Sequence, residues 1–440
     1  MPVQAGRLRN TRSTLGVVTQ QLQNWSGNYT FSAKAYHAPT TVAEVQSLVS
    51  SSERIKVLGA RHSFNGIADS AVDLLSLDAL DAITNVDQSN QTVTIGAGVR
   101  FGPLCAYLHG EGYALPNMAS LPHISVAGAY ATATHGSGDH NPILAASLSA
   151  LDLVTADGEL LHMSRAADPT YFDAVGVGLG SLGVVTSLTL DVIPTFDVAQ
   201  YAYEGLSFEA MELHFDEIMA SAYSVSLFTD WQQPVFNAVW CKTRVGDPTI
   251  HDGEASLFGA IAAQHDLHPL PGTNAMSCTP QLGVRGPWHE RLPHFRMEFQ
   301  PSRGDELQSE YLLPRPHAAS ALRSLQSIQP RIADVVLVNE VRTVAADNAW
   351  MSPFHDRDSV AFHFTWKLDW TAVRELLPLI EACLAPFEPR PHWGKLFTMD
   401  RAVVRQQYRR LSEFQELARG HDPSAKFSNA FLDTYVLRPD

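Results

Sequence analysis

The sequence is poor in cysteine and in long apolar runs. Its four cysteines, Cys105, Cys241, Cys278 and Cys383, lie far apart and form no C-x-x-C pair. This spacing argues against a disulfide framework and a zinc site, and it favours reduced core thiols in a cytoplasmic protein. The chain has no run of 18 apolar residues, and its N-terminus lacks the apolar segment of a secretory signal. We therefore expect neither a membrane span nor export.

Basic residues are also scarce. The chain has 31 Lys and Arg against 46 Asp and Glu, a formal net charge of -15 with neutral histidines. This charge disfavours a polyanionic partner such as DNA and an anionic membrane surface. The sequence also lacks G-x-G-x-x-G at a strand-to-helix turn, which leaves little support for a Rossmann fold. We expect a small-molecule partner, no bound metal and a monomeric chain.

The 440 residues are too many for one ordinary core and predict two domains. Residues 1–22 contain Arg7, Arg9 and Arg12 but no acidic residue, and they show no sustained period. They are interpreted as a loose basic tail, and composition leaves a transit peptide open as the alternative.

Short β-rich runs alternate with helical stretches from residue 24 to about residue 194. We predict strands at "ERIKVLG", "AVDLLSL", "QTVTIGAGV", "SALDLVTADG" and "LGVVTSLTLDVI", and helices at "TVAEVQSLVSSS" and "FGPLCAYLHGEG". From about residue 196, six runs alternate apolar and polar residues: "AYSVSLFTDW", "FNAVWCKTRV", "HFRMEFQPS", "SEYLLPR", "DVVLVNEVRTV" and "VAFHFTWKLD". With helices at about 207–220, 317–328 and 370–385, they predict an α+β fold with a large antiparallel sheet covered by helices on one face. A last helical segment is predicted at 400–418.

Two turns of small residues carry histidines. The first, "GARHSFN", contains His62, and the second is "LPNMASLPHISVAGAYATATHGSGDHN". Gly, Ala, Ser and Thr let backbone N–H groups and hydroxyls approach a bulky ligand closely. Tight packing of a turn would explain the small residues alone, but not the pairing of two such turns. Without a Walker lysine or a metal-ligand spacing, the pair suits a diphosphate bound by neutral donors, and FAD is the candidate.

A carboxylate and a permanent cation lie two residues apart in "NEVRTV". On a strand, Glu340 and Arg342 point to the same face. A surface ion pair is the ordinary interpretation. The apolar neighbours in "DVVLVNEVRTV" instead indicate a buried strand, where a charged pair is costly and usually functional.

Nine motifs, in order, resemble the alditol (xylitol) oxidases of the vanillyl-alcohol-oxidase class of flavoproteins. They are "VLGARHSFN", "LPNMASLPHISVAG", "ATHGSG", "PWHERLPHFR", "ELQSEY", "NEVRTVAAD", "HFTW", "PHWGK" and "AKFSNAF". The resemblance runs from about residue 24 to residue 431. It implies an FAD-dependent oxidation of the terminal CH2OH of alditols by dioxygen, giving an aldose and hydrogen peroxide.

The resemblance also implies how the cofactor is held. His62 matches the histidine that carries the flavin covalently at its 8α-methyl group. Further cofactor contacts fall on Gly59, Ala60, Arg61, Ser63, Ser120, Ser125, Gly128, Thr134, His135, Gly136, Val185 and His392. Ala60 and Arg61 depart from the pattern where relatives can carry a second glycine, so Arg61 either pairs with the diphosphate or is solvated.

The implied reaction centre is small. The resemblance gives Glu340, Arg342, Lys395 and His363 catalytic roles, with Lys395 near the flavin edge that gains negative charge. It gives substrate binding to Ser120, Gln308, Glu340, Arg342, Thr365 and Lys395. A solvated lysine and a satisfied core histidine are the ordinary interpretations of Lys395 and His363.

The predicted domains follow from the same resemblance: an FAD-binding domain of residues 23–195 and 390–440, with a substrate-binding domain of 196–389 inserted. An aldonolactone oxidase or dehydrogenase of the same fold is the nearest alternative, because fold alone does not fix the substrate. A non-catalytic flavin-binding protein is the alternative from another class, and keeping Glu340, Arg342 and Lys395 together argues against it.

Overall fold

A computed structural model describes residues 22–247, 253–299 and 304–438. The predicted basic tail therefore lies, except for Leu22, outside the described residues. None of the helices in these three ranges is long and apolar enough to cross a membrane.

The first half of the chain forms small sheets with short helices between them. Its strands are β1 Ala35–His37, β2 Ile55–Val57, β3 Asp73–Leu75, β4 Thr92–Gly96, β5 Tyr113–Ala114, β6 Leu148–Val154, β7 Leu160–Ser164, β8 Val184–Asp191 and β9 Ile193–Pro194. Its helices are α1 Val42–Ser51, α2 Phe101–Gly110, α3 Val126–Ala131 and α4 Pro169–Val175. All five strands and both helices predicted for this half are confirmed.

Two sheets organise this half. Strands β1, β3 and β2 form a parallel sheet, and β4, β8, β6 and β7 form an antiparallel one in that order. Strand β8 alternates buried and half-buried residues along its whole length, as period two requires of a strand with one covered face. The turns after β2 and around α3, which carry the small residues, lie at the ends of these elements.

The second half is built on longer strands. They are β10 Asp197–Glu204, β11 Leu206–Ser207, β12 Ser224–Thr229, β13 Val235–Phe236, β14 Ala238–Arg244, β15 Ser256–Leu257, β16 Ala260–Ala262, β17 Gly286–Pro287, β18 Glu306–Pro314, β19 Val336–Val344, β20 Ser359–Lys367 and β21 Arg390–Pro391. The helices are α5 Phe208–Met219, α6 Ala318–Gln326, α7 Gln329–Val335, α8 Trp370–Leu384, α9 Arg401–Gln406, α10 Leu411–His421 and α11 Ala430–Leu432.

A ten-stranded antiparallel sheet dominates this half. Its order is β15-β16-β10-β14-β12-β19-β20-β18-β21, with β17 paired to β10. Five of the six predicted runs and the three predicted helices are confirmed. The sixth run, residues 294–302, is wrong: residues 294–299 form turns with one isolated bridge, and the rest lies outside the described residues. The sequence analysis also missed β10, and the helix predicted at 400–418 is two helices, α9 and α10.

One face of this sheet is covered by helices. Helix α8 buries Val373, Leu376, Leu377, Ile380 and Leu384, the i, i+3, i+4, i+7 stripe of an amphipathic helix. Asp369 caps its N-terminus, and Tyr311 Oη on β18 donates to Glu381 Oε1 at 2.9 Å. Because side chains alternate along a strand, Gln308 and Glu310 on either side of Ser309 point to the other face. That face carries the site.

Candidate active site

Strand register gathers the predicted catalytic residues. Glu310 on β18 lies opposite His363 on β20, and His363 lies opposite Glu340 on β19. One row to one side, Gln308 lies opposite Thr365. Cross-strand partners share a face, so residues far apart in the sequence form one polar patch.

Four buried charges form the centre of this patch. Arg342 Nη2 donates to Glu310 Oε1 at 2.9 Å, and Arg342 Nε lies 3.6 Å from Glu340 Oε2. Lys395 Nζ donates to Glu310 Oε2 at 2.7 Å. The exposed fraction of these side chains is 1% for Glu310, 5% for Glu340 and Arg342, and 14% for Lys395. The two carboxylates and two cations compensate each other, which burial requires.

The pairing keeps both carboxylates ionised. Burial alone would raise the pKa of Glu340, but Arg342 and His294 outweigh it and hold the pKa well below its usual range. Burial likewise opposes ionisation of Glu310, and Lys395, His135 and Arg342 outweigh it. Burial lowers the pKa of Lys395, and Glu310 opposes that shift. Glu340 is therefore an acceptor with no proton to give at neutral pH.

Two neutral histidines flank Glu340. His294 Nε2 lies 2.8 Å from Glu340 Oε1, and His363 Nδ1 lies 3.5 Å from Glu340 Oε2. Burial lowers the pKa of both imidazoles to about 4. Both rings are uncharged at neutral pH and can donate one N–H each to the carboxylate.

One cavity of about 560 Å³ connects this patch to the two small-residue turns. Of the predicted site residues, those that line it are Gly59, Ala60, Arg61, His62, Ser63, Ser120, Ser125, Gly128, Thr134, His135, Val185, Gln308, Glu340, Arg342, His363, Thr365, His392 and Lys395. Gly136 lies outside the lining, where a Cβ would meet Asn117 Oδ1 at 2.3 Å. A ligand in this cavity would contact both the turns and the charged patch.

The two turns touch each other at Ser125. A Cβ on Gly59 would lie 2.6 Å from Ser125 Oγ, and a Cβ on Gly128 would lie 2.8 Å from the same atom. Glycine at both positions lets the backbones close around the N-terminus of α3. The contact confirms that the two turns pair, and the neutral donors gathered here fit the diphosphate of FAD.

His62 is held in place by its neighbours. Its ring stacks on Trp25 with centroids 4.7 Å apart, and burial lowers its pKa to about 4, so its nitrogens are free of extra protons at neutral pH. Arg61 has φ +60°, a conformation that favours glycine, and its side chain is exposed with Nη1 3.5 Å from Gln23 O.

Asn65 ties the His62 turn to the loop that carries Lys395. Its Nδ2 donates to Trp393 O and to Lys395 O, each at 2.8 Å, and Phe64 N donates to Gly394 O at 2.7 Å. The two segments are 330 residues apart in sequence. The turn therefore fixes the position of Lys395 as well as that of His62.

Other predicted residues have additional partners. Arg342 Nη1 lies 3.4 Å from Ser120 Oγ, so the second turn reaches the charged patch. Gln308 Nε2 donates to Glu306 Oε1 at 2.7 Å.

Sequence reasoning missed two residues of the patch, Glu310 and His294. A sequence signal for Glu310 existed, because it lies two residues after Gln308 in "ELQSEY" and a strand places both side chains on one face. No such signal pointed to His294, because the segment that carries it was predicted to be a strand.

Comparison with known proteins agrees with this geometry. Residues 33–164 match the model of the FAD-binding domain, and residues 302–435 match that of D-arabinono-1,4-lactone oxidase. An alditol oxidase from a Streptomyces species is 50% identical over 93% of this chain and 97% of its own. L-gulonolactone oxidase from Mus musculus is 24% identical over 94% of this chain and 97% of its own.

The fold has solved counterparts. Cholesterol oxidase from Brevibacterium sterolicum superposes with a TM-score of 0.74 at 16% identity, covering 96% of this chain and 97% of that one. This similarity supports the α+β flavoenzyme fold alone. The 50% identity over nearly the whole chain, together with the FAD-binding match, means that this chain belongs to the alditol oxidase family of FAD-dependent oxidoreductases.

Proposed function

We propose that this chain oxidises the terminal CH2OH of alditols such as xylitol and sorbitol with dioxygen, releasing the aldose and hydrogen peroxide. The observation that carries the proposal is the buried Glu340, Arg342 and Lys395 patch in one cavity with the small-residue turns. When bound, FAD supplies the acceptor for the hydride that leaves the substrate carbon.

Charge stabilisation, proton acceptance and substrate binding are assigned to different side chains of the site. Arg342 and Lys395 are fixed cations beside the reacting carbon, and they stabilise negative charge that develops during hydride transfer. The substrate hydroxyl donates to Glu340 and loses its proton toward that carboxylate. Gln308, Thr365 and Ser120 supply partners for further hydroxyls.

The cofactor is proposed to be covalently attached through His62. A neutral, half-buried imidazole stacked on Trp25 is a nucleophile held in one orientation. The FAD-binding domain is proposed to comprise residues 23–195 and 390–440, and the inserted substrate-binding domain residues 196–389. The Asn65 contacts with the 393–395 loop support the return of the chain to the first domain.

An aldonolactone oxidase or dehydrogenase is the second candidate. The match of residues 302–435 to the D-arabinono-1,4-lactone oxidase model favours it, as does the 26% identity to an L-gulono-1,4-lactone dehydrogenase from Mycobacterium tuberculosis. A cyclic lactone offers a ring hydroxyl where an alditol offers a free terminal CH2OH, so the two candidates predict different substrates.

A peroxide-coupled assay over a panel of polyols, diols, lactones and 1-butanol separates the candidates. We expect kcat/KM to fall from xylitol to 1,2-diols, and by at least about 10³-fold to 1-butanol, because the alkyl alcohol leaves polar groups desolvated and unpaired. A better rate with an aldonolactone would replace the proposal by the second candidate. Equal rates with xylitol and 1-butanol would contradict the proposal that Ser120, Gln308 and Thr365 bind the substrate hydroxyls.

A further inference from the structure

A buried lysine contacts the charged patch through a histidine. Lys242 lies on β14 and is 1% exposed. Its Nζ donates to Leu292 O and to Pro293 O, and it lies 3.4 Å from His294 Nδ1. The other nitrogen of that ring, Nε2, lies 2.8 Å from Glu340 Oε1. Lys242, His294 and Glu340 thus form a chain that ends at the proposed proton acceptor.

The N–H donors and the acceptors of Lys242 and His294 can be counted. A lysine ammonium has three N–H donors and no acceptor, and a neutral imidazole has one N–H and one bare nitrogen. Burial lowers the pKa of Lys242 to about 7, and in its protonated form two of the ammonium donors go to the carbonyls of Leu292 and Pro293. The third has His294 Nδ1 as its partner.

Only one tautomer of His294 satisfies both neighbours. With the proton on Nε2, the ring donates to the carboxylate and accepts from the ammonium. With the proton on Nδ1, a lone pair would face the Glu340 carboxylate and an N–H would face the ammonium. Both contacts would then be repulsive.

We propose that Lys242 is a positioning residue that acts through His294, keeping the imidazole neutral with its proton on Nε2 and thereby fixing a hydrogen bond to Glu340. This inference rests on the proposed role of Glu340 as acceptor of the hydroxyl proton. Lys242 itself touches neither substrate nor cofactor.

Charged and titratable groups of several elements surround the Lys242, His294 and Glu340 side chains. Those that face Lys242 and His294 are Glu340 and Arg342 on β19 and Cys278 in the loop before β17; those that face Glu340 are Arg342, His294 and His363. The pKa of His294 is lowered to about 4: burial is the main cause, the Lys242 and Arg342 cations contribute to it, and Glu340 opposes it. Removing the cation should therefore let the imidazole take up a proton nearer neutral pH.

A purely structural lysine would hold the loop without affecting the histidine. Lys426 provides a matched control: it is 7% exposed, and its Nζ donates to the carbonyls of Val49, Ser50 and Ala156. Both lysines are buried and donate to backbone carbonyls. Lys242 also contacts the His294 ring, whereas the three hydrogen bonds described for Lys426 are all to backbone oxygens.

The first experiment reads the tautomer in the unmutated holoenzyme. Protein labelled with ¹⁵N in histidine gives ring nitrogen shifts that distinguish protonated from bare nitrogens, and the signal lost in His294→Gln identifies this residue. We expect a bare Nδ1 and a protonated Nε2 at pH 7. A protonated Nδ1 would overturn the proposal, whatever the substrate of the enzyme.

The second experiment measures anaerobic flavin reduction by xylitol across pH. We expect Lys242→Met to slow reduction by about 10-fold, the factor that corresponds to the loss of one hydrogen bond. Its rate should also acquire an acidic limb above about pH 4, because the Lys242 cation no longer lowers the pKa of His294 while burial still does. The unmutated enzyme and Lys426→Met should show no such limb.

A double variant tests whether the effect passes through His294. Lys242→Met added to His294→Gln should cause no further shift of the pH profile, because residues in one network are coupled. A further shift of the pH profile in the double variant, or the same acidic limb in Lys426→Met, would contradict the proposal. Lys242 would then only hold the loop that carries Leu292 and Pro293. If xylitol fails to reduce even the unmutated flavin, the proposed function is wrong, and the tautomer measurement still decides this proposal.

Discussion

Replacing Glu310 by glutamine should impair both stability and catalysis, because one carboxylate separates two buried cations. Its oxygens bind Arg342 Nη2 at 2.9 Å and Lys395 Nζ at 2.7 Å, and His135 Nε2 lies 3.3 Å away. The Glu310→Gln side chain keeps the shape and one acceptor but loses the charge. Two cations would then remain, with Glu340 3.6 Å from Arg342 Nε as the remaining carboxylate of the patch.

The magnitude follows from these contacts. Removing one partner of a buried ion pair costs about 3–5 kcal/mol, because the other charge stays desolvated. Lys395 can relieve part of this cost, since burial already lowers its pKa and Glu310 is the main group that raises it. We therefore expect a loss of about 3 kcal/mol in the free energy of unfolding. A neutral Lys395 would also slow flavin reduction by about 10²-fold, the scale for losing one preorganised charge.

Urea unfolding at pH 7 and anaerobic reduction by xylitol measure the two effects. Glu381→Gln is the control, because the Glu381 carboxylate is half-buried and accepts from Tyr311 Oη and Thr398 N, with no cation among these partners. A loss of less than about 1 kcal/mol in the free energy of unfolding of Glu310→Gln, the scale of an ordinary hydrogen bond, together with a normal rate of flavin reduction, would refute this role of Glu310.

Three further predictions concern His62, Lys395 and the buried histidines. The unmutated protein should keep its flavin in the pellet after acid precipitation, whereas His62→Ala should release it; free flavin from the unmutated protein would contradict the covalent link. Lys395→Met should slow anaerobic reduction by about 10²-fold, and an unchanged rate would place this lysine away from the reaction. The pKa of His294 and His363 is lowered to about 4, so the unfolded chain takes up protons first as pH falls below about 6.5. The free energy of unfolding should fall by about 3 kcal/mol per histidine between pH 6.5 and 4, and His363→Gln should remove its share of this slope in urea titrations.

Local pattern predicted the elements that carry the reaction centre. The buried run around Glu340 and Arg342 predicted strand β19, and period two predicted that both side chains share a face. The same rule holds for His363 and Thr365 on β20. These predictions depend only on residues close together in the sequence, because the backbone geometry of a strand determines which face each side chain takes.

The pairing of strands depends on distant residues and could not be predicted from the same pattern. Glu310 lies opposite His363 only because β18 and β20 pair in one register out of several that would keep the same faces. Its ion pair with Lys395 further depends on the 393–395 loop, which Asn65 anchors. Sequence alone could mark Glu310 as sharing a face with Gln308, but not as the partner of two cations.

The wrong strand at 294–302 has a physical cause. The described part of this run, residues 294–299, is a loop packed on the sheet: the His294 ring lies 5.6 Å from that of Phe228 and 5.2 Å from that of Trp240, and Phe295 contacts His268. Apolar and polar side chains of a loop can alternate for this reason without a strand partner. Period two is therefore ambiguous wherever a loop lies on a sheet face.

The charge balance of the patch explains why it can be both buried and reactive. Glu310 and Glu340 offset Arg342 and Lys395, so the four side chains sum to zero before substrate binds. Oxidation of a CH2OH group sends one hydride and one proton in different directions. A proton that reaches Glu340 leaves the patch with a net charge of +1, while the hydride carries one negative charge to the acceptor beside it. The proposed reaction thus creates an attractive pair of charges in a low-dielectric site, where such a pair is worth more than in water.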